Sequence, residues 1–548
     1  MDVIRLLLRE NPEEWKRALT VAALAGLANA AILAIINRGA AIASSDSGLV
    51  NFRLLLLFAI CMTGFYLGKR FALIQSSVTV EHMLETRLVR VYDKIRHADL
   101  ELVENLGRGE LYTRISQDTG LISQSGLILV NAAQQTFVLS FCLLYILWLS
   151  RPAFVATVLL ISLGIGFYLR HARSFGVLLT RLNEREAELV DSLANMVDGF
   201  KEIRLNRRKS DAVFAAFTSI AAAVRNIKID TQISFCVDIM FSDVFFYTLL
   251  SVVVFLLPRL VPTYAAVVLM TTAAILFIIG PLQMVVQAQP VLERAKAALL
   301  NLYGLEEKLD AGISEPAEGE ARDFSAFQSI ALEDAGFTYA PRAGGGGFAV
   351  GPATLRLRRG ETVFLVGGNG SGKTTLLKML TGLYLPQRGS IAVDGVRLSS
   401  ANVQSYRELF TTVFSQFHLF DRFYGLEDVD PARVEAVLRE LELAGKTGFA
   451  NGRFTDLNLS TGQRKRLALA VCLLEDKEIM VFDEWAADQD PHFRRHFYEV
   501  VLQQLKARGK TILAVTHDDR YWSHADRVIR MDFGAIVEES VRPTAAAE

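Results

Sequence analysis

The sequence predicts an α-helical membrane domain of six transmembrane helices that is fused to a C-terminal α/β domain. Two observations lead to this prediction. The chain has 548 residues and 51% of them are apolar, a larger share than a soluble enzyme usually carries. Long apolar runs fill the N-terminal half, whereas short β-rich runs alternate with helical patterns in the C-terminal part.

Six apolar runs are long enough to cross a hydrocarbon core of roughly 30 Å, which takes about 20 helical residues. Their approximate limits are Arg17 to Asn37, Phe52 to Gln75, Leu127 to Leu149, Pro152 to Leu169, Thr231 to Leu257 and Tyr264 to Ala288. Lys and Arg collect near the N-terminus and in the two long connections, which follow the second and fourth runs. Because loops rich in Lys and Arg stay in the cytoplasm, we place both long connections in the cytoplasm. We expect them to reach the domain that follows the sixth span.

The C-terminal domain begins after a polar segment that contains Gly312, Pro316 and Gly319. We therefore predict a membrane domain at residues 1–310, a linker at 311–326 and a second domain at 327–548. Strand-like runs in this domain are ETVFLVG, SIAVDG, TTVFS, EIMVFDE and TILAVTH. Their alternation with helices predicts a mostly parallel sheet that binds ligands at the C-terminal ends of its strands.

Composition excludes some functions. A formal net charge of -1 argues against a nucleic-acid partner, because such proteins carry a basic excess or patch. None of the four cysteines lies in a CxxC pair, so we expect buried thiols and no metal centre built on cysteine.

A phosphate-binding motif opens the C-terminal domain. The run GGNGSGKT fits GxxxxGK(S/T) and stands between the strand-like ETVFLVG and the helix-like TTLLKMLTGLY. In such a loop the backbone N–H groups surround phosphates, the lysine reaches the β- and γ-phosphates, and the last hydroxyl binds Mg²⁺. The residues predicted to bind the nucleotide here are Gly367, Asn369, Gly370, Ser371, Gly372, Lys373, Thr374 and Thr375.

A pair of carboxylates follows a second buried strand. The run from Ile479 to Asp483 is apolar and ends in an acid, which is the usual metal partner of a phosphate loop. Glu484 comes next and is the candidate general base that holds the attacking water. Together these motifs predict a nucleotide hydrolase.

The run Leu459-Ser-Thr-Gly-Gln463 resembles LSGGQ, the signature of ATP-binding cassette (ABC) proteins, and other motifs of that family follow in the correct order. Tyr339 matches the aromatic residue that stacks on adenine, Gln416 the Q-loop glutamine, Asp490 the D-loop aspartate and His517 the switch histidine. The resemblance implies ATP and Mg²⁺ as cofactors. It also implies a metal site at Thr374, Gln416 and Asp483, and catalytic roles for Lys373, Glu484 and His517.

The signature implies a partner. In the ABC family the serine and glycine of the signature, here Ser460 and Gly462, donate hydrogen bonds to the γ-phosphate that the opposite subunit holds. Gln463 is the third signature residue expected to bind the nucleotide. A helix N-terminus suits an anion. Since one chain has one phosphate loop and one signature, a C2 homodimer is needed to complete two sites.

Two departures from the commonest pattern narrow the resemblance. Thr461 replaces the first glycine of LSGGQ, and the D-loop reads ADQD, ending at Asp490, where SALD is usual. The chain resembles bacterial cyclic-peptide exporters of the syringomycin, pyoverdine and microcin type over roughly residues 328–540. The strings that carry this resemblance include DEWAADQDPHFRRHFY and VTHDDRYW. The membrane domain matches that family in length and layout only.

This resemblance implies the six-helix fold of type IV ABC exporters and a place in the bacterial inner membrane, among membrane lipids. It also implies a peptide-, lipopeptide- or siderophore-like cargo. A lipid flippase or multidrug exporter shares all the ATPase motifs and stays an alternative. From another class, a non-transporting ABC regulator is the rival, although intact Glu484 and His517 favour turnover.

Asp243 is a candidate cargo contact in the fifth span. Counting from Pro258 at 1.5 Å per residue places Asp243 about 22 Å below the outer surface, within the hydrocarbon region. A carboxylate that faces lipid there costs roughly 2.5–3.5 kcal/mol, so Asp243 should face protein or a cavity. Two interpretations follow: a structural pair with a basic or amide group on a neighbouring helix, such as Gln134 or Gln135, or a translocation path shared with Gln283 and Gln287.

Overall fold

A computed structural model describes residues 11–45, 52–261, 267–313, 322–339 and 347–541. By its internal contacts the chain divides into two compact units. One joins Met1–Arg90 to Gly109–Leu305, and the other joins Val91–Arg108 to Glu306–Glu548. The functional domain limits 1–310, 311–326 and 327–548 stay a prediction, and half of the linker, residues 314–321, lies outside the described residues.

Apart from short turns, the described residues of the membrane part are helical. Its helices are α1 Pro12–Ser45, α2 Phe52–His97, α3 Leu100–Tyr112, α4 Thr119–Leu149, α5 Arg151–Asp198, α6 Phe200–Leu205, α7 Arg207–Ser251, α8 Leu257–Leu260 and α9 Val268–Ala311. Single π-helical stretches at Thr113–Asp118 and Val252–Leu256 interrupt this series.

Five described helical stretches are long and apolar enough to cross a membrane: Pro12–Ile42, Phe52–His97, Gly109–Leu149, Arg207–Leu260 and Val268–Ala311. The fourth predicted span corresponds to the apolar stretch Arg151–Phe167 at the start of α5. Tyr264, the predicted start of the sixth span, lies outside the described residues.

Local chemistry explains the tight turn between α4 and α5. The hydroxyl of Ser150 accepts a hydrogen bond from the backbone N–H of Ala153 at 3.4 Å, and Pro152 stands in the first turn of α5. A serine N-cap followed by proline ends one helix and starts the next within two residues. Ser150 alone therefore connects α4 to α5.

Two sheets build the C-terminal unit. The larger has the strand order β12-β11-β3-β10-β9-β6, in which β12 alone runs antiparallel to its neighbour and the other five are parallel. Its strands are β3 Thr362–Gly367, β6 Phe410–Val413, β9 Ile479–Asp483, β10 Thr511–Val515, β11 Arg527–Asp532 and β12 Ala535–Val541. The mostly parallel sheet is thus confirmed for four of the five predicted strand runs.

The prediction was wrong for the run SIAVDG. It forms most of β4, which belongs to an antiparallel sheet with the order β2-β1-β4-β5. An apolar run of this length suits either sheet, and its pairing with β1 is a long-range choice that the run does not encode. The strands of this sheet are β1 Ser329–Thr338, β2 Ala349–Arg358, β4 Arg388–Val393 and β5 Val396–Arg397.

Short elements complete this unit. They are α10 Lys373–Leu380, α11 Val403–Arg407, α12 Pro431–Glu440, the hairpin β7 Phe449–Ala450 with β8 Arg453–Phe454, α13 Thr461–Glu475, α14 Pro491–His496 and α15 Leu502–Ala507. One apolar cluster packs α12 and α13 against the sheet, and a second fills the space between the two sheets and α10.

The segment Val91–Arg108, which follows the second span, belongs to the C-terminal unit, as predicted for a long cytoplasmic loop. Leu100 packs against the cluster between the two sheets. Glu104 accepts hydrogen bonds from Lys378 Nζ at 2.7 Å and from the Tyr384 hydroxyl at 2.6 Å. Burial raises the pKa of Tyr384, so its hydroxyl stays protonated and donates to Glu104.

Asp243 has a different partner from the two amides first considered for a structural pair. Its Oδ1 accepts a hydrogen bond from Gln283 Nε2 at 2.8 Å, which joins α7 to α9. Gln134 instead lies where α4 packs closely on α1: a Cβ added to Gly26 would stand 3.2 Å from its backbone oxygen. Asp243 thus pairs with an amide on a neighbouring helix, as one interpretation expected, but this amide is Gln283 and not Gln134, whose Nε2 and Oε1 have no hydrogen-bond partner among the described residues.

Candidate active site

The phosphate loop connects β3 to α10. Gly367 has φ 149° and Gly372 has φ 97°, values that side chains rarely tolerate. A Cβ on Gly367 would lie 2.2 Å from the backbone oxygen of Met531, and one on Gly372 would lie 2.7 Å from Cγ2 of Val350. These glycines are therefore required by both backbone conformation and space.

We expect Gly372→Ala to lower the thermal transition of the ATPase unit in the purified full-length protein, corresponding to about 1–3 kcal/mol. The substitution adds the clash with Val350 to the unfavourable φ. Gly370→Ala is the matched control, since Gly370 also has a positive φ but nothing lies within 4 Å of its added Cβ. Differential scanning fluorimetry without nucleotide measures both; equal shifts would contradict the steric argument.

Lys373 begins α10 and is 5% exposed. Its Nζ donates hydrogen bonds to the backbone oxygens of Gly367 at 3.1 Å and Gly368 at 2.9 Å. Burial lowers the pKa of Lys373, whereas the charges of Glu484 and Asp483 raise it. The ammonium group is thus held by the loop itself, close to both carboxylates.

Thr374 and Asp483 meet at the base of this loop. Thr374 Oγ1 donates to Asp483 Oδ2 at 3.1 Å, and the backbone N–H of Ser415 donates to the same oxygen at 3.3 Å. Asp483 is fully buried, and its Oδ1 has no hydrogen-bond partner among the described residues. A hydroxyl beside a buried carboxylate with a free oxygen fits Mg²⁺, which prefers oxygen ligands. Gln416, next to Ser415, is exposed.

Glu484 and His517 meet because β9 and β10 are parallel and in register, with Asp483 opposite Val515. Glu484 has φ 52°, and its N–H donates to the Val515 oxygen at 3.2 Å. Nε2 of His517 lies 3.0 Å from Oε1 of Glu484. Both side chains line an open pocket of about 380 Å³ that also includes Arg494 and Asp518.

Tyr339 stands at the end of β1, beside the phosphate-loop helix. Its hydroxyl lies 3.0 Å from Thr375 Oγ1, and its ring meets the edge of Phe337 at 5.2 Å between centroids. Tyr384 in turn stacks on Phe337 at 4.4 Å. The predicted adenine-stacking residue is therefore connected to α10 through the hydroxyl of Thr375 and to β1 through its contact with Phe337.

The signature residues form the N-terminus of α13. Ser460 is the N-cap: its hydroxyl accepts from the N–H of Gln463 at 3.4 Å, and Gln463 Oε1 accepts from the N–H of Ser460 at 3.1 Å. Asp490 caps α14, and the N–H of Phe493 lowers its pKa, with Arg466 adding to that effect. Within the described part of the chain, no hydrogen bond joins residues 460–463 to residues 367–374.

Sequence reasoning missed four side chains of this region. They are Glu104, Tyr384, Lys465 and Arg466, of which the last two are buried cations in the first turns of α13. Two adjacent buried cations in a helix are unusual, since buried charges need partners. The sequence offers one signal for these partners, because the D-loop reads ADQD and so contains two aspartates. Asp488 pairs with Lys465, and Asp490 pairs with Arg466.

Comparisons with known proteins identify the family. Residues 350–487 match the family described as "ABC transporter". The chain is 30% identical to the ATP-binding protein SyrD of Pseudomonas syringae pv. syringae over 98% of its own length and 96% of the relative's. This chain belongs to the ABC transporter family. It is an ATP-driven exporter whose ATPase is coupled to transport.

Two further comparisons also cover the membrane helices. The ATP-dependent lipid A-core flippase of Paraburkholderia xenovorans (strain LB400) is 26% identical over 84% of this chain and 78% of its own length. The structure of a bacterial Atm1-family ABC exporter with ATP bound superposes on 97% of the chain and 96% of its own, with a TM-score of 0.77 and 17% identity. The exporter fold predicted from the sequence is therefore confirmed.

Proposed function

We propose that this ABC exporter works as a homodimer in the bacterial inner membrane and expels a peptide-, lipopeptide- or siderophore-like compound from the cytoplasm. Each of the two ATP sites is built on one copy, in which Tyr339 lies against adenine and the phosphate loop surrounds the phosphates. Ser460, Gly462 and Gln463 of the second copy complete it. The observation that supports this dimer is the separation of the signature loop from the phosphate loop within one chain.

Thr374, Asp483 and Gln416 would hold Mg²⁺, which when bound would supply positive charge next to the phosphates. Lys373 adds a positive charge next to the same phosphates. Glu484 takes a proton from the attacking water, and His517 orients Glu484 from 3.0 Å away. Nucleotide-driven closure reaches the membrane helices through segments such as Val91–Arg108, whose Glu104 contacts Lys378 of α10.

The cargo assignment draws on the resemblance to cyclic-peptide exporters and on two features of α7 and α9. The Asp243–Gln283 pair provides a carboxylate inside the predicted hydrocarbon region. Next to it, Phe241, Phe245, Leu282 and Val286 line an apolar cavity of about 50 Å³. This space accepts the end of an apolar group but not a whole cargo. A compound with a cationic or polar group and an apolar chain matches both features.

We expect Asp243→Asn to reduce export and cargo-stimulated ATPase while expression and basal ATPase stay unchanged. Asparagine keeps an oxygen that accepts from Gln283, so the variant removes the charge and retains the pair. ATP-driven uptake of a cationic cyclic lipopeptide into inverted membrane vesicles, in which export runs inward, measures the effect. Gln283→Leu, which removes the partner and leaves the carboxylate, is the matched control.

Unchanged export in Asp243→Asn would remove this carboxylate from the cargo site. Loss of folding in both variants would identify a purely structural pair.

The second candidate function is a lipid flippase, favoured by the likeness to the lipid A-core flippase of Paraburkholderia xenovorans. Stimulation of ATPase by lipid A, and not by cationic peptides, would support that alternative.

A further inference from the structure

Lys465 is a buried cation that holds the backbone next to the catalytic carboxylate. Its side chain is 5% exposed, and its Nζ donates to the backbone oxygen of Glu484 at 2.8 Å and pairs with Asp488 Oδ2 at 2.7 Å. The backbone oxygen of Lys465 accepts a hydrogen bond from Trp485 Nε1 at 2.8 Å. One residue of the signature helix therefore binds both Glu484 and the residue that follows it.

The neighbouring side chain strengthens this connection. Arg466 Nε donates to Gln489 Oε1 at 2.9 Å, and the same guanidinium pairs with Asp490. Gln489 Nε2 returns a hydrogen bond to the backbone oxygen of Gly462 at 3.1 Å. The signature loop and residues 484–490 are thus joined at several points within one chain.

The backbone of Glu484 needs such support. Its φ of 52° is left-handed, a conformation that non-glycine residues rarely adopt. Strained residues persist only where their surroundings hold them. Val515 binds the N–H of Glu484 from the sheet side, and Lys465 binds its carbonyl oxygen from the helix side.

We propose that Lys465 is a positioning residue that couples the signature loop to the hydrolytic carboxylate of the same chain. The proposal rests on the proposed function, in which Glu484 is the base and two copies share their sites. In that dimer the signature loop of one chain serves one composite site, whereas its Glu484 serves the other. Lys465 therefore connects the two ATP sites through a single side chain.

Mixed dimers with one functional Glu484 test this coupling. Two differently tagged copies are co-expressed, with Lys465→Met in one subunit and Glu484→Gln either in its partner or in the same subunit. In the first arrangement the functional Glu484 has lost its lysine. We expect ATP turnover to fall about 10-fold or more below that of a dimer with one Glu484→Gln alone, the size expected for a lost charged hydrogen bond. In the second arrangement the functional Glu484 keeps its lysine, and we expect turnover within about twofold of that reference.

A rescue variant separates positioning from folding. Lys465→Gln with Asp488→Asn keeps an amide donor for the carbonyl oxygen of Glu484 without a buried charge. We expect it to restore most of the turnover in the first arrangement. Equal losses in both arrangements, or no loss in either, would overturn the proposal. Undiminished turnover with Glu484→Gln in both subunits would overturn the proposed function, and the role of Lys465 with it.

Discussion

ATP turnover by Glu484→Gln should fall by a factor of about 10² or more, the usual size of a general-base contribution. Glutamine preserves the size of the side chain and its contact with His517 but cannot accept a proton from water. ATP binding should be retained, so the variant should accumulate the closed dimer with nucleotide trapped inside. Phosphate release in proteoliposomes and nucleotide occlusion measure the two effects.

Glu499→Gln is a suitable control for this experiment, because Glu499 pairs with Arg495 on an exposed helical surface outside the site. Its turnover should match that of the unaltered exporter. Near-normal turnover in Glu484→Gln would show that another group takes the proton.

Assembly should produce an equally large contrast between two mixed dimers. With Lys373→Ala in one subunit and Ser460→Arg in the other, both changes fall in one composite site and the second site stays intact. Placing both changes in one chain beside an unaltered partner damages both sites. We therefore expect one occluded nucleotide per dimer in the first arrangement and none in the second, as measured with radiolabelled ATP and vanadate.

Ser460→Arg serves this purpose because the residue caps α13 at its surface, where a long side chain does not disturb the apolar cluster beneath. Equal occlusion in the two arrangements would contradict a site shared between subunits.

The sequence predicted the parts of the site that depend on local backbone chemistry. Glycines with positive φ, a lysine at the start of α10 and an acid at the end of β9 follow from motifs within a few residues. The contact between Glu484 and His517 was accessible too, since adjacent parallel strands bring their C-terminal ends together.

Contacts between distant segments were not predictable in this way. Asp243 pairs with Gln283 because of how α7 and α9 are rotated about their axes. Packing sets this rotation, and the depth of a residue in the membrane does not predict it. The pair of Lys465 and Asp488 joins a helix to a loop that lies beyond the next strand. An apolar run such as SIAVDG likewise gives no indication of which sheet its partners belong to.

The contact between Glu104 and Lys378 has a consequence for how the protein is made. The two residues are 274 positions apart, so a ribosome that adds about 5–20 residues per second needs roughly 14 to 55 seconds to travel from one to the other. During that interval the segment Val91–Arg108 has already been synthesised but the domain it belongs to has not. Translation therefore leaves the loop exposed to chaperones and proteases until the C-terminal half emerges and folds onto it.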